Sequence, residues 1–250
     1  MAGRFGYVGH DTVIGRMASW SGAMLFPHVC VACGLEGSML CRTCQQEIST
    51  PLRGVFLCPV CGGRSAMGVV CSGGCRRRSA VDGVASLAGY GHAPLRQLLH
   101  EYKYGGVEEA GAILEEIWTD WLERQRPFLS AIAGDATVIP VPLHYFREAW
   151  RGFNQADRFA GALGRMTGSS VERSALSRRF RWRPQAKMVS AKARGMNARG
   201  SVKVRPDAVV RDRVVIVDDV LTTGSTVQEC ARVLKDAGAA SVWVLTLLRG

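Results

Sequence analysis

The chain has 250 residues, of which 47% are hydrophobic and 21% charged; it therefore has enough apolar side chains to bury a core, which excludes a wholly disordered protein. No stretch approaches the roughly 20 consecutive apolar residues that a membrane-spanning helix needs, and the N-terminus lacks the apolar segment and cleavage site of a signal peptide, so we expect a soluble, cytoplasmic protein. The formal net charge of +11 predicts an anionic partner without distinguishing nucleotide, nucleic acid or membrane surface.

The pattern of residue types divides the chain into three parts. Residues 1–28 contain a candidate amphipathic helix from Ile14 to Phe26. Residues 29–80 are rich in Cys and Gly and lack long periodic apolar patterns, as expected for a module in which metal replaces an apolar core. From residue 81 to residue 250 helical and strand patterns alternate, which predicts an α/β domain with a parallel sheet flanked by helices.

Eight of the nine cysteines are crowded into the second part, in four pairs. The pairs are Cys30 and Cys33, Cys41 and Cys44, Cys58 and Cys61, and Cys71 and Cys75. Two C-x2-C pairs supply the four thiolates of a tetrahedral zinc site, so eight cysteines predict a zinc module with two structural sites. A disulfide-stapled module is the alternative, and the absence of a secretion signal disfavours it.

Sequential pairing, in which the first four cysteines form one site and the last four the other, is the simplest assignment. Interleaved pairing stays open. Gly34 and Gly62 directly follow two of the pairs, where a zinc-knuckle turn favours a residue without Cβ. The ninth cysteine, Cys230, falls in a predicted helix and is interpreted as a small buried residue.

The α/β part shows the following predicted elements. In chain order they are a strand at Val81–Gly91, helices at Pro94–Tyr102 and Glu108–Arg124, a strand at Thr137–Val141, a helix that Asn154 caps, a strand at Val214–Val217, a helix at Ser225–Asp236 and a strand at Ser241–Leu248. The second helix is the clearest, because Ile113, Leu114, Ile117 and Trp121 form one apolar stripe.

The most informative segment runs from Val214 to Thr226. A buried strand delivers Asp218 and Asp219 to the carboxyl edge of the sheet, where open α/β sheets bind ligands. A loop rich in hydroxyl groups then leads into a helix whose N-terminal amides suit a phosphate. Carboxylates beside a phosphate cradle are consistent with a phosphorylated sugar, whose hydroxyls or Mg²⁺ they hold. A Walker-type loop would place Gly and Lys here instead.

This segment resembles the phosphoribosyl-pyrophosphate signature of type I phosphoribosyltransferases. The resemblance implies that Asp218 and Asp219 bind the ribose 2- and 3-hydroxyls and that the loop binds the 5-phosphate. The implied binding residues are Asp218, Asp219, Leu221, Thr222, Thr223, Gly224, Ser225 and Thr226.

Further motifs resemble those of the ComF (ComFC/GntX-like) family, which joins an N-terminal cysteine zinc module to a phosphoribosyltransferase domain. They are Lys103-Tyr104-Gly105-Gly106, Val141-Pro142-Leu143-His144, Arg151-Gly152-Phe153-Asn154-Gln155, and the spaced Gln185, Arg194 and Asn197. The resemblance covers nearly the whole chain from Pro27. It implies the type I phosphoribosyltransferase fold, a pyrophosphate loop after the Val138–Val141 strand and a flap around Arg178–Asn197.

The resemblance predicts Mg²⁺-assisted displacement of pyrophosphate from C1 of phosphoribosyl pyrophosphate. Asp218, Asp219, Lys103 and Arg151 are the expected catalytic residues, because carboxylates offset positive charge on the ribose ring and cations offset negative charge on the leaving group. The residues expected to handle pyrophosphate or to form the flap are Lys103, His144, Arg147, Arg151, Gln185, Arg194 and Asn197.

A competing hypothesis is a non-catalytic factor that binds single-stranded DNA in competence on a phosphoribosyltransferase scaffold. The stretch from Arg173 to Arg213 holds thirteen Lys and Arg residues against two acidic ones. Phe180 and Trp182 interleave with the arginines, a combination that can stack bases and neutralise phosphates. A solvated flap that needs cations only for pyrophosphate explains the same charge.

Overall fold

A computed structural model describes residues 28–143, 149–178 and 199–250. The predicted helix Ile14–Phe26 lies outside these residues. Among the described residues, no helix has the length and apolar character needed to span a membrane.

The described elements alternate as the sequence predicts. The strands are β1 (Val55–Phe56), β2 (Gly83–Gly89), β3 (Thr137–Pro140), β4 (Ser170–Val171), β5 (Leu176–Arg178), β6 (Val202–Val204), β7 (Arg213–Leu221) and β8 (Ser241–Arg249). The α-helices are α1 (Arg42–Ser49), α2 (Gly74–Arg77), α3 (Ala93–His100), α4 (Glu108–Arg124), α5 (Arg126–Ala133), α6 (Gln155–Thr167) and α7 (Ser225–Asp236). A 3₁₀ turn covers Ala66–Gly68, and a π-helical turn covers Glu101–Gly105.

Six strands form one sheet in the order β1-β2-β8-β7-β3-β4. All neighbours are parallel except β1, which runs antiparallel to β2. Strands β5 and β6 form a separate antiparallel pair. The predicted parallel sheet flanked by helices is therefore confirmed, and the carboxyl ends of β2, β8, β7 and β3 meet at one edge.

The central strand β7 separates two apolar cores. Val215 and Val217 belong to the core that contains α3, α4, α5 and α6, whereas Val214 and Ile216 belong to the core that contains α7 and residues of β5 and β6. Because side chains alternate between the faces of a strand, two consecutive residues at the end of β7 address two different faces. Asp218 and Asp219 therefore point to opposite faces of the sheet.

Several element boundaries agree with the sequence pattern and others do not. Helices α4 and α7 begin and end at the predicted residues. Strand β7 continues four residues beyond the predicted Val217, because Asp218 and Leu221 keep their register with β8. Helix α3 ends at His100 and passes into the π-helical turn, and α5 has no counterpart among the predicted elements.

The cysteine-rich part packs directly on the sheet and helices. Its strand β1 pairs with β2, and the guanidinium of Arg249 donates hydrogen bonds to the carbonyls of Leu57 and Cys58. Glu109, in the first turn of α4, accepts a 3.0 Å hydrogen bond from the amide of Met39. The cysteine-rich segment and the α/β part thus share one continuous core.

Candidate functional site

The two consecutive aspartates lie at the carboxyl end of β7. The side chain of Asp219 is 13% exposed, and its Oδ1 lies 2.7 Å from Nζ of Lys103. Asp218 accepts a 2.8 Å hydrogen bond at Oδ1 from the backbone amide of Asp219. The structure therefore brings together three of the four predicted catalytic residues, and it shows that Lys103 neutralises one of the two acids.

The other acid has unusual electrostatics. Burial and the neighbouring charge of Asp219 raise the pKa of Asp218 to about 7, although the Asp219 amide, Lys103 and Arg178 all favour its ionised form. A carboxyl group that changes charge near neutral pH suits contact with a ligand that alters its surroundings.

The segment after the acids forms the predicted hydroxyl-rich loop. Thr222 and Thr223 are exposed, and Gly224 adopts a left-handed conformation (φ +73°), which glycine reaches without strain. Helix α7 begins at the next residue, and Ser225 Oγ lies 2.6 Å from Thr223 Oγ1. Hydroxyl groups and helix N-terminal amides thus lie together beside the acids, an arrangement that binds phosphate.

The predicted ligand residue Leu221 contributes differently from its neighbours. Its side chain is buried in the core beneath the loop, and its carbonyl accepts a 2.8 Å hydrogen bond from the Gly250 amide. Leu221 therefore anchors the loop to the end of β8.

The structure places Arg151 beside the π-helical turn. Its guanidinium lies 4.7 Å from the ring centroid of Tyr104 and donates a 3.0 Å hydrogen bond to Oε1 of Gln155. The buried Arg151 Nε and Gln155 Nε2 have no hydrogen-bond partner among the described residues. Two unsatisfied donors favour an anionic acceptor at this position.

A cavity of about 400 Å³ opens next to the acids. Its lining residues are Tyr90, Arg96, Gln97, Leu99, His100, Lys103, Tyr104 and Val220. Lys103 lines this cavity and is ion-paired with Asp219, so the cavity adjoins the candidate site.

The remaining sequence-predicted residues fall elsewhere in the chain. His144, Arg147, Gln185, Arg194 and Asn197 lie outside the described residues. Conversely, the sequence analysis named Arg178 only as the start of the expected flap and gave it no binding role, although its Nη2 lies 3.4 Å from the Thr226 hydroxyl.

The cysteines form two groups. In the first group, four Sγ atoms lie within 4.8 Å of one another, those of Cys30, Cys33, Cys41 and Cys44. In the second group, three Sγ atoms do so, those of Cys58, Cys61 and Cys75. The eighth cysteine, Cys71, has its Sγ 4.0 Å from that of Cys61. The structure therefore groups the cysteines sequentially, and all nine are free thiols.

The sulfur geometry fits zinc. Zn–S bonds of about 2.3 Å in a tetrahedron separate the sulfurs by about 3.8 Å, and Cys33 and Cys41 have this separation of 3.8 Å. Burial disfavours ionisation of the Cys30 thiol, but amide hydrogen bonds from Cys41, Cys33 and Ala32 lower its pKa to about 6. Gly34 and Gly62 both have positive φ, as the knuckle turn requires.

Comparison with known proteins agrees with this architecture. Residues 168–250 match the family model described as phosphoribosyl transferase domain. The chain is 30% identical to the DNA utilization protein YhgH of Shigella flexneri, over 89% of this chain and 97% of that protein. The chain belongs to the ComF family.

Two other ComF relatives carry competence in their names. Competence protein F of Haemophilus influenzae is 27% identical over 84% of this chain and 90% of its own length. Competence protein ComFC of Bacillus subtilis is 31% identical over 45% of this chain and 44% of its own length. A solved hypoxanthine phosphoribosyltransferase from Staphylococcus aureus covers 54% of this chain and 62% of its own, with 17% identity and a TM-score of 0.34.

The family assignment and the fold predicted from the sequence are both confirmed. This ComF protein has a phosphoribosyltransferase domain and N-terminal cysteine clusters with the geometry of metal sites.

Proposed function

We propose that the protein binds phosphoribosyl pyrophosphate with Mg²⁺ at the carboxyl edge of β7 and displaces pyrophosphate from C1 of the ribose. The observation that carries the proposal is the juxtaposition of Asp218, Asp219 and Lys103 with the loop Thr222–Thr226. In the reaction the bond from C1 to the pyrophosphate oxygen breaks, and a bond from C1 to the acceptor forms.

Each group has a role that follows from its position. Asp218 and Asp219 accept hydrogen bonds from the ribose hydroxyls and offset positive charge on the ring, while the loop hydroxyls and the first amides of α7 hold the 5-phosphate. Lys103 and Arg151 face the leaving group. Mg²⁺, which prefers carboxylate and phosphate oxygens, would neutralise charge on the pyrophosphate.

The N-terminal part supports the fold in this proposal. We propose that residues 29–80 hold two structural zinc ions, one for each cysteine group, and that the phosphoribosyltransferase domain occupies residues 81–250. The cytoplasm is the proposed location, because Cys₄ zinc sites need reduced thiols.

Calorimetric titration with phosphoribosyl pyrophosphate and Mg²⁺ tests the proposal. Asp219→Asn removes one charge from the ribose site, and the loss of a charge-assisted contact worth about 1.5–3 kcal/mol weakens binding roughly ten- to a hundredfold. Gly224→Val is expected to bind more weakly still, because valine is strained at the positive φ of this position.

Both variants are expected to keep their metal content, since the cysteines lie far from β7 in sequence and belong to a separate cluster. An exposed aspartate replaced in the same way, Asp120→Asn, serves as the control and should bind as the parent does. Parental affinity in both Asp219→Asn and Gly224→Val would place the ligand elsewhere.

Binding of single-stranded nucleic acid is the second candidate function, and relatives named for DNA utilization and competence motivate it. The described residues add one observation: Trp150 is 68% exposed, and its ring centroid lies 6.4 Å from that of Tyr104, over which Arg151 lies. Exposed aromatic rings beside cations stack unpaired bases.

Salt-dependent binding assays distinguish this candidate from a purely catalytic role. Affinity for an oligonucleotide should fall steeply with salt, and joint replacement of Arg179, Arg181 and Arg183 should flatten the slope through lost counterion release. Trp182→Ala and Trp150→Ala should weaken binding to single strands more than to duplex. Binding that salt does not change, or none at low salt, would reject this function.

A further inference from the structure

Arg178 connects three parts of the candidate site. It is the last residue of β5, its Nε donates a 2.9 Å hydrogen bond to the carbonyl of Pro142, and its Nη2 lies 3.4 Å from the hydroxyl of Thr226. Pro142 follows β3 at the carboxyl edge, and Thr226 lies in the first turn of α7. The guanidinium therefore lies between the loop after β3 and the hydroxyl-rich loop.

Arg178 forms no contact ion pair with a carboxylate in the described part of the chain, although its charge acts on Asp218 from a longer distance. Its two hydrogen bonds go to neutral oxygens, whereas the comparably buried Lys103 and Arg158 each form ion pairs with carboxylates. A partly buried cation without a counterion is costly unless a ligand supplies the negative charge.

The surroundings of Arg178 indicate which ligand group that is. It lies on the side of β7 toward which Asp218 points and on which α7, with Cys230, packs, since its charge acts on both groups. Lys103 approaches from the other face, toward Asp219 and the cavity. The two cations thus lie on opposite sides of the acidic pair, one beside the hydroxyl-rich loop and one beside the cavity.

We propose that Arg178 binds the 5-phosphate of the phosphoribosyl ligand, with the Thr226 hydroxyl and the first amides of α7. The inference rests on the proposed function and deepens it. It assigns Arg178 to the sugar phosphate, whereas Lys103 and Arg151 face the pyrophosphate. It also explains how a phosphate approaches two carboxylates, because Arg178 and Lys103 bring positive charge to both sides of the acidic pair.

The test compares two ligands by calorimetric titration of the full chain with Mg²⁺ present: ribose 5-phosphate and pyrophosphate. Arg178→Gln is expected to weaken ribose 5-phosphate at least about tenfold, the size of one charge-assisted contact, and to leave pyrophosphate affinity unchanged. Arg178→Lys keeps the charge and should recover part of the loss, which a merely structural role for the guanidinium would not produce.

Arg205→Gln is the matched control, since Arg205 lies next to β6 and is 49% exposed in an ion pair with Asp207. It should bind both ligands as the parent does. Parental affinity of Arg178→Gln for ribose 5-phosphate, or an equal loss for both ligands, overturns the inference while leaving the proposed function standing. If Arg178→Gln does not fold, the affinities of Arg178→Lys for ribose 5-phosphate and pyrophosphate test the inference instead. A loss confined to ribose 5-phosphate supports it. A parent protein that binds neither ligand rejects both proposals.

Discussion

At the scale of single residues, Asp218 makes the stability of the fold depend on pH. Its pKa is raised from 3.8 to about 7, chiefly by burial and then by the charge of Asp219. Between these values the folded chain holds a proton that the unfolded chain has lost, so this group's contribution to stability falls as pH rises through the window from about 4 to about 7. Above about pH 7, Asp218 is ionised in the folded chain, and the full destabilisation from its buried charge is present.

Asp218→Asn is therefore expected to raise the thermal midpoint at pH 8, and to raise it less at pH 5. The amide keeps the oxygen that accepts from the Asp219 backbone, and removing the buried charge stabilises the fold by several degrees in a chain of this size. Thermal denaturation of parent and variant at the two pH values measures the difference. The exposed control Asp120→Asn should show no such pH dependence; a pH-independent effect in Asp218→Asn would contradict the assignment.

The residues of the site differ in how well the sequence predicts them, according to how far apart in sequence their contacts lie. Asp218, Asp219 and the hydroxyl-rich loop are contiguous, so one strand–loop–helix pattern predicts them together. Lys103 was predicted from a family motif, but its 2.7 Å contact with Asp219 spans more than a hundred residues and follows only from the packing of the π-helical turn on β7. Arg178 carries no local signal that distinguishes it from the arginines around it.

At the scale of elements, Asn154 fixes helix α6 to the carboxyl edge of the sheet. Its Oδ1 accepts a 3.2 Å hydrogen bond from the Ala156 amide, which caps the helix as the sequence predicts, and its Nδ2 donates a 3.0 Å bond to the carbonyl of Val141. One side chain thus joins the start of α6 to the loop after β3.

Asn154→Ala is expected to lower the free energy of unfolding by about 1–2 kcal/mol, since it removes the cap and leaves a carbonyl unsatisfied. Asn154→Asp keeps the capping oxygen but not the donor, so it should lose less. Urea denaturation measures both values. Equal stability of the parent and Asn154→Ala would show that the cap contributes nothing.

The boundaries of elements were predictable where one apolar stripe determines them. Helix α4 has its buried residues in a regular stripe that includes Leu114, Ile117 and Trp121, and it begins and ends at the predicted residues. The extension of β7 through Asp218 and Asp219 was not predicted, because polar residues end an apolar strand pattern while backbone pairing with β8 continues. Helix α5 starts directly after the end of α4, where the sequence shows no break except Pro127.

At the scale of the whole molecule, the two cysteine groups predict a metal content. Two zinc ions per chain are expected from elemental analysis, because each group holds enough thiols for a tetrahedral site. Replacing Cys30 and Cys33 together by Ser should reduce the content to one. Cys230→Ala should keep both ions, since Cys230 lies on the buried face of α7 and belongs to neither cysteine group. Zero zinc with the thiols in disulfides would contradict the prediction.

A content near one zinc would instead identify Cys71 as the weak ligand. Three thiols of the second group lie within 4.8 Å of one another, and Cys71, outside that set, contacts Cys58 and Cys61. Cys71→Ser and Cys58→Ser would then both leave the content at one, whereas joint replacement of Cys30 and Cys33 by Ser would reduce it to zero. Comparing these variants with the parent shows which cysteine group holds the ion.

The shared core has a consequence for the protein in the cell. Cys30, Met39, Leu40, Cys44 and Ile48 pack in the same cluster as Leu114 and Trp118 of α4, and Arg249 at the end of β8 holds the carbonyls beside the second group. A chain made during zinc starvation would lack the order of this segment and expose the apolar surface that it covers. Proteases act on such open states in proportion to their population, so we expect the half-life of the protein to follow the zinc supply of the cell.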